Sequence, residues 1–240
     1  MLPSGVGNHP VILEFHGFAG TAAEQSDVSG LGALAAEAGF AVVVFDGQGQ
    51  PGRSLRWDLN GGFDSDVAFV DLTMPSLLPC AGPMFATGFS NGAAFASVLG
   101  CESELDVIAV ATVSWATEPC DNETPLPILA FHGTADGTVP FDGDGNDVLE
   151  FLLGLGSGPA EAAIGDWARH NGCTDFTVKQ IGPDVQYTEW SGCEADTGFY
   201  RISNGGHSWP GSDSEVQFGV TTRTIAASSL IVDFFLAQLV

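Results

Sequence analysis

The stretch Gly88-Phe89-Ser90-Asn91-Gly92 follows the apolar run Met84–Phe89 and opens the small-residue stretch Ala93–Leu99. A short continuous apolar run reads as a buried strand, and the small residues after it as a helix packed close against that strand. The serine therefore falls where strand turns sharply into helix. Glycines two residues to either side let the two elements approach without a Cβ clash, and the residue between them is held in a strained backbone conformation that lifts its side chain out of the turn. This is a nucleophile elbow, with Ser90 as the candidate nucleophile; the alternative is an ordinary turn in which a serine happens to be flanked by glycines.

The rest of the chain carries the pattern that such an elbow needs around it. Apolar runs at Val11–Phe15, Ala41–Phe45, Met84–Phe89, Val107–Ser114, Pro127–Phe131 and Gly198–Ile202 show little alternation, as strands do when both faces are covered, which predicts a mostly parallel sheet. Helical patterns fill the intervals at Leu31–Ala38, at Asp64–Leu78 with a break at Pro75, and at Asn91–Leu99, Ala160–His170 and Thr221–Leu239. The alternation is that of βαβ units. A length of 240 residues with 45% hydrophobic content suits one core, so a single domain over residues 1–240 is expected.

Two further segments match the elbow. Phe131-His132-Gly133-Thr134-Ala135-Asp136 places Asp136 just past a strand, and Gly205-Gly206-His207-Ser208-Trp209-Pro210 places His207 in a loop after the next. The order Ser, Asp, His is that of the α/β-hydrolase fold and differs from the chymotrypsin and subtilisin orders. His207 would take the Ser90 proton, and Asp136 would orient the imidazole. The oxyanion donors are assigned to the backbone N–H groups of Asn91, next after the nucleophile, and of Phe18, in the His16-Gly17-Phe18 loop that follows the first strand. Asp46 also follows a strand and is the alternative acid; Asp136 is preferred because it lies between nucleophile and histidine. His132 reads as a support for the acid loop, His16 as a support for the oxyanion loop, and His9 and His170 as surface residues. Trp57, Trp115 and Trp209 are candidates to line an aromatic acyl pocket, with core packing the competing role for each.

Six basic against 30 acidic residues leave a net charge of −24, and Lys179 is the only lysine. Such a surface repels nucleic acid and anionic membranes, so neither is an expected partner. The acids spread along the chain as a solvated face, and in sharper form as a surface suited to high salt. No apolar run approaches the roughly 18–20 residues needed to span a bilayer, and no signal-peptide pattern opens the chain, so a soluble chain is expected. Cys80, Cys101, Cys120, Cys173 and Cys193 form no C-x-x-C and no Cys/His cluster with zinc spacing, so no metal is expected. Cys173 and Cys193 lie in polar turns that suit a bridge, and Cys101 and Cys120 flank the run Val107–Trp115 and can pair across it; the alternative is five reduced thiols. Two bridges would indicate an oxidising compartment. Asp142, Asp144, Asn146 and Asp147 begin like a calcium loop, but Asp147 stands at the turn glycine and Leu153 at the bidentate glutamate, so an acidic turn is the better reading.

Ala86-Thr87-Gly88-Phe89-Ser90-Asn91-Gly92, Phe131–Asp136 with Val139-Pro140, and Gly205–Gly211 together resemble the polyhydroxybutyrate depolymerase and feruloyl esterase family of α/β-hydrolases, over about His9 to Pro210. Trp167, Asn171-Gly172-Cys173 and Trp190-Ser191-Gly192-Cys193 fall where that family carries a tryptophan and a cysteine pair, so the resemblance implies a Cys173–Cys193 disulfide. It also implies Ser90, Asp136 and His207 as the triad, no cofactor, export from the cell, and substrates that are cinnamoyl esters, hydroxyalkanoate polyesters or related polyesters. Acetylxylan or short-chain esters are the nearer alternatives. A peptidase of the same fold and a non-catalytic binding module are the more distant ones. Relatives carry two further strands before the one at Val11, so a sheet lacking them is expected, without a large lid domain.

Overall fold

The computed structural model describes residues 1–2, 8–48, 55–78, 81–115, 117–143, 158–214 and 218–239. Its strands are β1 (Val11–Phe15), β2 (Ala41–Phe45), β3 (Met84–Phe89), β4 (Val107–Val113), β5 (Ile128–Gly133), β6 (Asp175–Ile181), β7 (Val185–Ser191) and β8 (Thr197–Ile202). They form one sheet in the order β2-β1-β3-β4-β5-β8-β7-β6. From β2 to β8 every neighbouring pair is parallel, and β7 and β6 continue the sheet antiparallel. The helices are α1 (Ala22–Ser29), α2 (Leu31–Glu37), α3 (Asp64–Leu77), α4 (Asn91–Glu102), α5 (Ala160–His170) and α6 (Ala227–Ala237).

The continuous apolar runs are buried on both faces, as their lack of alternation requires. In β1, Val11, Leu13 and Phe15 enter one core, with Trp57, Val70, Phe95 and Trp167, while Ile12 enters the other, with Leu31, Phe40, Phe85 and Phe235. The six expected strands form in the parallel part. The hairpin β6–β7, which makes the count up to eight, lies on the opposite edge from β2, and among the described residues no strand precedes β1.

Three differences from the sequence reading have local causes. Helix α3 does not break at Pro75, because the proline falls in the last turn, where its fixed φ is compatible with helix and only one i→i−4 bond is lost; the Leu78 N–H still closes on the Met74 carbonyl at 2.9 Å. Helix α6 starts at Ala227, not Thr221, because the preceding backbone is drawn into long-range pairing: Gly206 N–H donates to Val220 O (2.8 Å) and Gly211 N–H to Thr222 O (2.9 Å). Helix α1 is missed by apolar periodicity because its buried face is itself mostly polar, with Gln25 and Ser29 beside Val28, yet the Thr21-x-x-Glu24 box that starts it is in the sequence, and the Thr21 hydroxyl caps the Glu24 N–H. Asp144, Asn146, Asp147, Leu153 and Cys80 lie outside the described residues.

Candidate active site

Strand β3 runs between β1 and β4 and ends at the elbow. Ser90 there has φ 55° and ψ −121°, a positive-φ conformation that L residues avoid, and it stands immediately before α4. Backbone bonds fix the turn: Ser90 N–H donates to Val113 O at the end of β4 at 2.9 Å, and Ala93 N–H returns to Ser90 O at 2.8 Å. The flanking glycines are required by contact. A Cβ at Gly88 would lie 2.3 Å from Gly92 O, and one at Gly92 would lie 2.3 Å from Phe15 O, so β3, α4 and the end of β1 meet backbone to backbone.

Asp136 sits in the turn after β5, and His207 in the loop after β8, the neighbouring strand. Their side chains meet, with Nδ1 of His207 2.8 Å from Oδ2 of Asp136. The other oxygen, Oδ1, accepts the N–H groups of Thr138 and Val139, both at 2.8 Å. An ionised carboxylate only accepts, so the imidazole proton on this side is on Nδ1 and the Nε2 lone pair is left for another partner. The Phe89 ring lies 4.8 Å from the His207 ring, which sets the imidazole against the elbow. His132 supports the acid turn from beneath: its Nε2 is 2.9 Å from Val139 O and 3.5 Å from Asp136 Oδ2. Burial holds its pKa below the usual histidine value, against the pull of Asp136.

Asp46, the alternative acid, is placed elsewhere. It is exposed past the end of β2, where its Oδ1 accepts the Ala22 N–H at 2.7 Å and so caps the start of α1.

The loop after β1 is built around His16. Its Nε2 accepts the Gly47 N–H at 2.9 Å, so its Nδ1 carries the proton and donates to Gly17 O at 2.7 Å. Burial lowers its pKa, consistent with this neutral tautomer. Gly17 comes within 3.5 Å of the Ser90 Cβ, measured from an ideal Cβ, so the Phe18 amide belongs to the backbone that borders the serine. Asn91 opens α4, where the first N–H groups of a helix have no acceptor within it. Its side chain faces away from the elbow's opening: Oδ1 accepts the Trp57 N–H at 2.8 Å and Nδ2 donates to Trp57 O at 3.2 Å.

The three tryptophans expected to line a pocket are all buried. Trp57 stacks on Phe95 with centroids 4.6 Å apart and donates its indole N–H to His16 O at 2.9 Å. Trp209 donates to Ser228 Oγ at 2.9 Å and lies in the second core, and Trp115 lies in the first. These contacts support core packing, the competing role for each. His9 and His170 are half-buried rather than exposed, and His170 Nε2 lies 2.9 Å from Thr124 O. Sequence reasoning missed Phe218, whose ring lies 6.4 Å from that of His207; the run Phe218-Gly219-Val220 in a mostly polar loop is the available signal.

Two disulfides form, Cys101–Cys120 and Cys173–Cys193. Each closes a loop of about twenty residues, worth roughly 3 kcal/mol in the chain-entropy account. No helix among the described residues is long and apolar enough to cross a membrane.

A mostly parallel sheet with helices on both faces, a serine on a strained strand-to-helix turn and a buried His–Asp pair past later strands define the α/β-hydrolase fold. Solved structures of that fold cover nearly the whole chain. Acetyl xylan esterase from Aspergillus awamori superposes with a TM-score of 0.60 at 16% identity, covering 87% of each chain. Acyl-protein thioesterase 2 from Zea mays does so with 0.60 at 15%, covering 100% of this chain and 97% of its own. No family profile matches the chain. Among sequence relatives, a protein of Nocardia uniformis subsp. tsuyamanensis named as an esterase, NocK, is 28% identical over 98% of this chain and 75% of its own length. Feruloyl esterase B of Piromyces equi is 30% identical over 82% of this chain, which spans 39% of that protein. By these comparisons the chain is similar to proteins named as esterases and feruloyl esterases.

Proposed function

We propose that the chain cleaves carboxylic esters through an acyl-enzyme on Ser90, with His207 as base and then acid and Asp136 as its orienting carboxylate. The observation that carries this reading is the His207–Asp136 contact of 2.8 Å, which leaves Nε2 as the proton acceptor beside the elbow. In the first half-reaction the Ser90 proton passes to Nε2 as Oγ bonds to the ester carbon, and the carbonyl oxygen takes the negative charge. The N–H groups of Asn91 and Phe18 are the assigned donors to that oxygen. Collapse breaks the bond to the alcohol oxygen, which receives the proton from Nε2. Water then repeats the sequence on the acyl-serine and releases the acid.

The substrates we assign are cinnamoyl esters, hydroxyalkanoate polyesters and related polyesters. The sequence motifs shared with that family and the relation to feruloyl esterase B support the assignment. Two disulfides suit an oxidising compartment, which supports export. The test is Ser90→Ala. Hydrolysis of an aryl ester is expected to fall by on the order of 10⁴-fold or more, and fluorophosphonate labelling to disappear, with the melting temperature kept. Labelling that survives in the variant overturns the assignment of Ser90.

A further inference from the structure

The segment after the histidine loop presents an arrangement that the proposed reaction leaves unused. Phe218 is 65% exposed and Val220 64% exposed. Apolar side chains on slack loops need no explanation, but this backbone is strapped down. Phe218 N–H donates to His207 O at 3.0 Å, Gly206 N–H to Val220 O at 2.8 Å, and Ser208 Oγ to the same carbonyl at 3.2 Å. The chain thus holds two apolar side chains out in water on a segment bonded directly to the histidine loop. The Phe218 ring lies 6.4 Å from the His207 ring at an interplanar angle of 37°, and Phe89 lies 4.8 Å away at 39°; between them the imidazole is left 3% exposed.

Position beside His207 has a chemical meaning. In acyl transfer the proton on Nε2 goes to the departing alcohol oxygen, so that oxygen must come within hydrogen-bond reach of the imidazole, and the rest of the alcohol extends from there. Side chains bordering His207 therefore border the alcohol. Phe18, 38% exposed on the loop after β1, is assigned to the carbonyl oxygen instead, through its backbone N–H. Phe218 and Val220 offer no side-chain hydrogen-bonding group, so a sugar hydroxyl set against them would lose water without a replacement partner. An alkyl or aryl surface would lose none.

We propose that Phe218 and Val220 form the subsite for the alcohol portion of the substrate and select apolar alcohols, such as an aryl or alkyl group or the next unit of a polyester chain. The subsite rests on the ester-hydrolase reading above, and Phe218 acts in it as a specificity-determining residue.

The experiment compares acetate esters that share one acyl group and differ in alcohol: methyl, benzyl and glucosyl acetate, with wild type, Phe218→Ala and Phe218→Leu. For Phe218→Ala the ratio of kcat/KM for benzyl over methyl acetate is expected to fall about tenfold, carried by KM, because what is lost is apolar contact with the bound alcohol. Phe218→Leu keeps an apolar side chain and is expected to restore most of that ratio. An unchanged ratio overturns the subsite, and so does an equal loss on both esters, which would make Phe218 a shield for the imidazole. A larger loss on glucosyl than on benzyl acetate overturns the apolar choice in favour of a sugar. If wild type hydrolyses none of the three although Ser90 reacts with a fluorophosphonate, the ester-hydrolase reading fails first and the subsite with it.

Discussion

Two carboxylates are buried on the same sheet, Glu14 within the ladder of β1 and Asp136 past the end of β5, and their surroundings differ. Asp136 has two backbone N–H groups on one oxygen and the His207 imidazole on the other. Glu14 is 1% exposed and points into the core between the sheet and α1, where Gln25 donates to it at 2.9 Å. Burial raises the pKa of Glu14 to about 7, against the opposing pull of Ser29 and Gln25. A strand interior spends its N–H groups on the ladder, so a carboxylate there meets few donors. A turn at a strand end has N–H groups to spare, and it can give them to a side chain. A turn at a strand end can therefore surround a carboxylate with donors that a strand interior does not supply.

Replacing each carboxylate by its amide tests that contrast. Asp136→Asn puts an amide where His207 needs an acceptor and is expected to lower kcat by about 10³–10⁴-fold, read from ester hydrolysis and from the fluorophosphonate labelling rate. Glu14→Gln is expected to leave kcat within about twofold, and so is Asp46→Asn, whose side chain caps α1. If Asp46→Asn is the more damaging, the acid is Asp46 and the contrast breaks.

The stability readout runs the other way. An acid whose folded pKa lies above its ordinary value binds more protons folded than unfolded, so stability declines as pH rises. For Glu14 the decline should span from about pH 4.5 to about pH 7 and level off above. Glu14→Gln should remove this slope and raise stability at pH 8 by up to about 3 kcal/mol, measured by denaturant unfolding across pH. A variant that keeps the slope would move the titration to another group.

The smallest effect concerns the exposed acids. With a net charge of −24, raising salt from about 10 mM to 1 M shortens the Debye length from about 30 Å to about 3 Å and should raise stability by about 1 kcal/mol, or roughly 2–4 °C in Tm. The Glu14 slope should persist in high salt, since a buried group is poorly screened. A melting temperature that stays flat or falls with salt would mean that the acids are already paired or hold specific cations.

Much of this molecule is legible in its sequence where the cause is local. The parallel strands β1, β2 and β3 are predicted to the residue, because their runs are apolar with little alternation, Glu14 being the one charged residue among the three, and packing on both faces suits them. The elbow is local too, since the clash that demands Gly88 and Gly92 involves residues a few positions apart and the end of one neighbouring strand. The antiparallel β6–β7 edge is not legible because β6 is almost wholly exposed, β7 is mostly half-buried, and neither carries an apolar run to announce it.

Tertiary structure decided what lies far apart in the chain. Only folding joins His207 to Asp136 across 71 positions, and it sends Asp46, an equally plausible strand-end carboxylate, to the start of α1. The tryptophans show the same limit. Trp57, Trp115 and Trp209 offer surfaces that suit a pocket or a core alike, and the packing of Phe15, Phe95 and Ser228 around two of them chose the core. Phe218 went the opposite way, held at the surface beside His207 by backbone bonds to a loop eleven residues earlier. Residue type and spacing carry the preference for burial, but which surface is left uncovered depends on every other element competing for the same space.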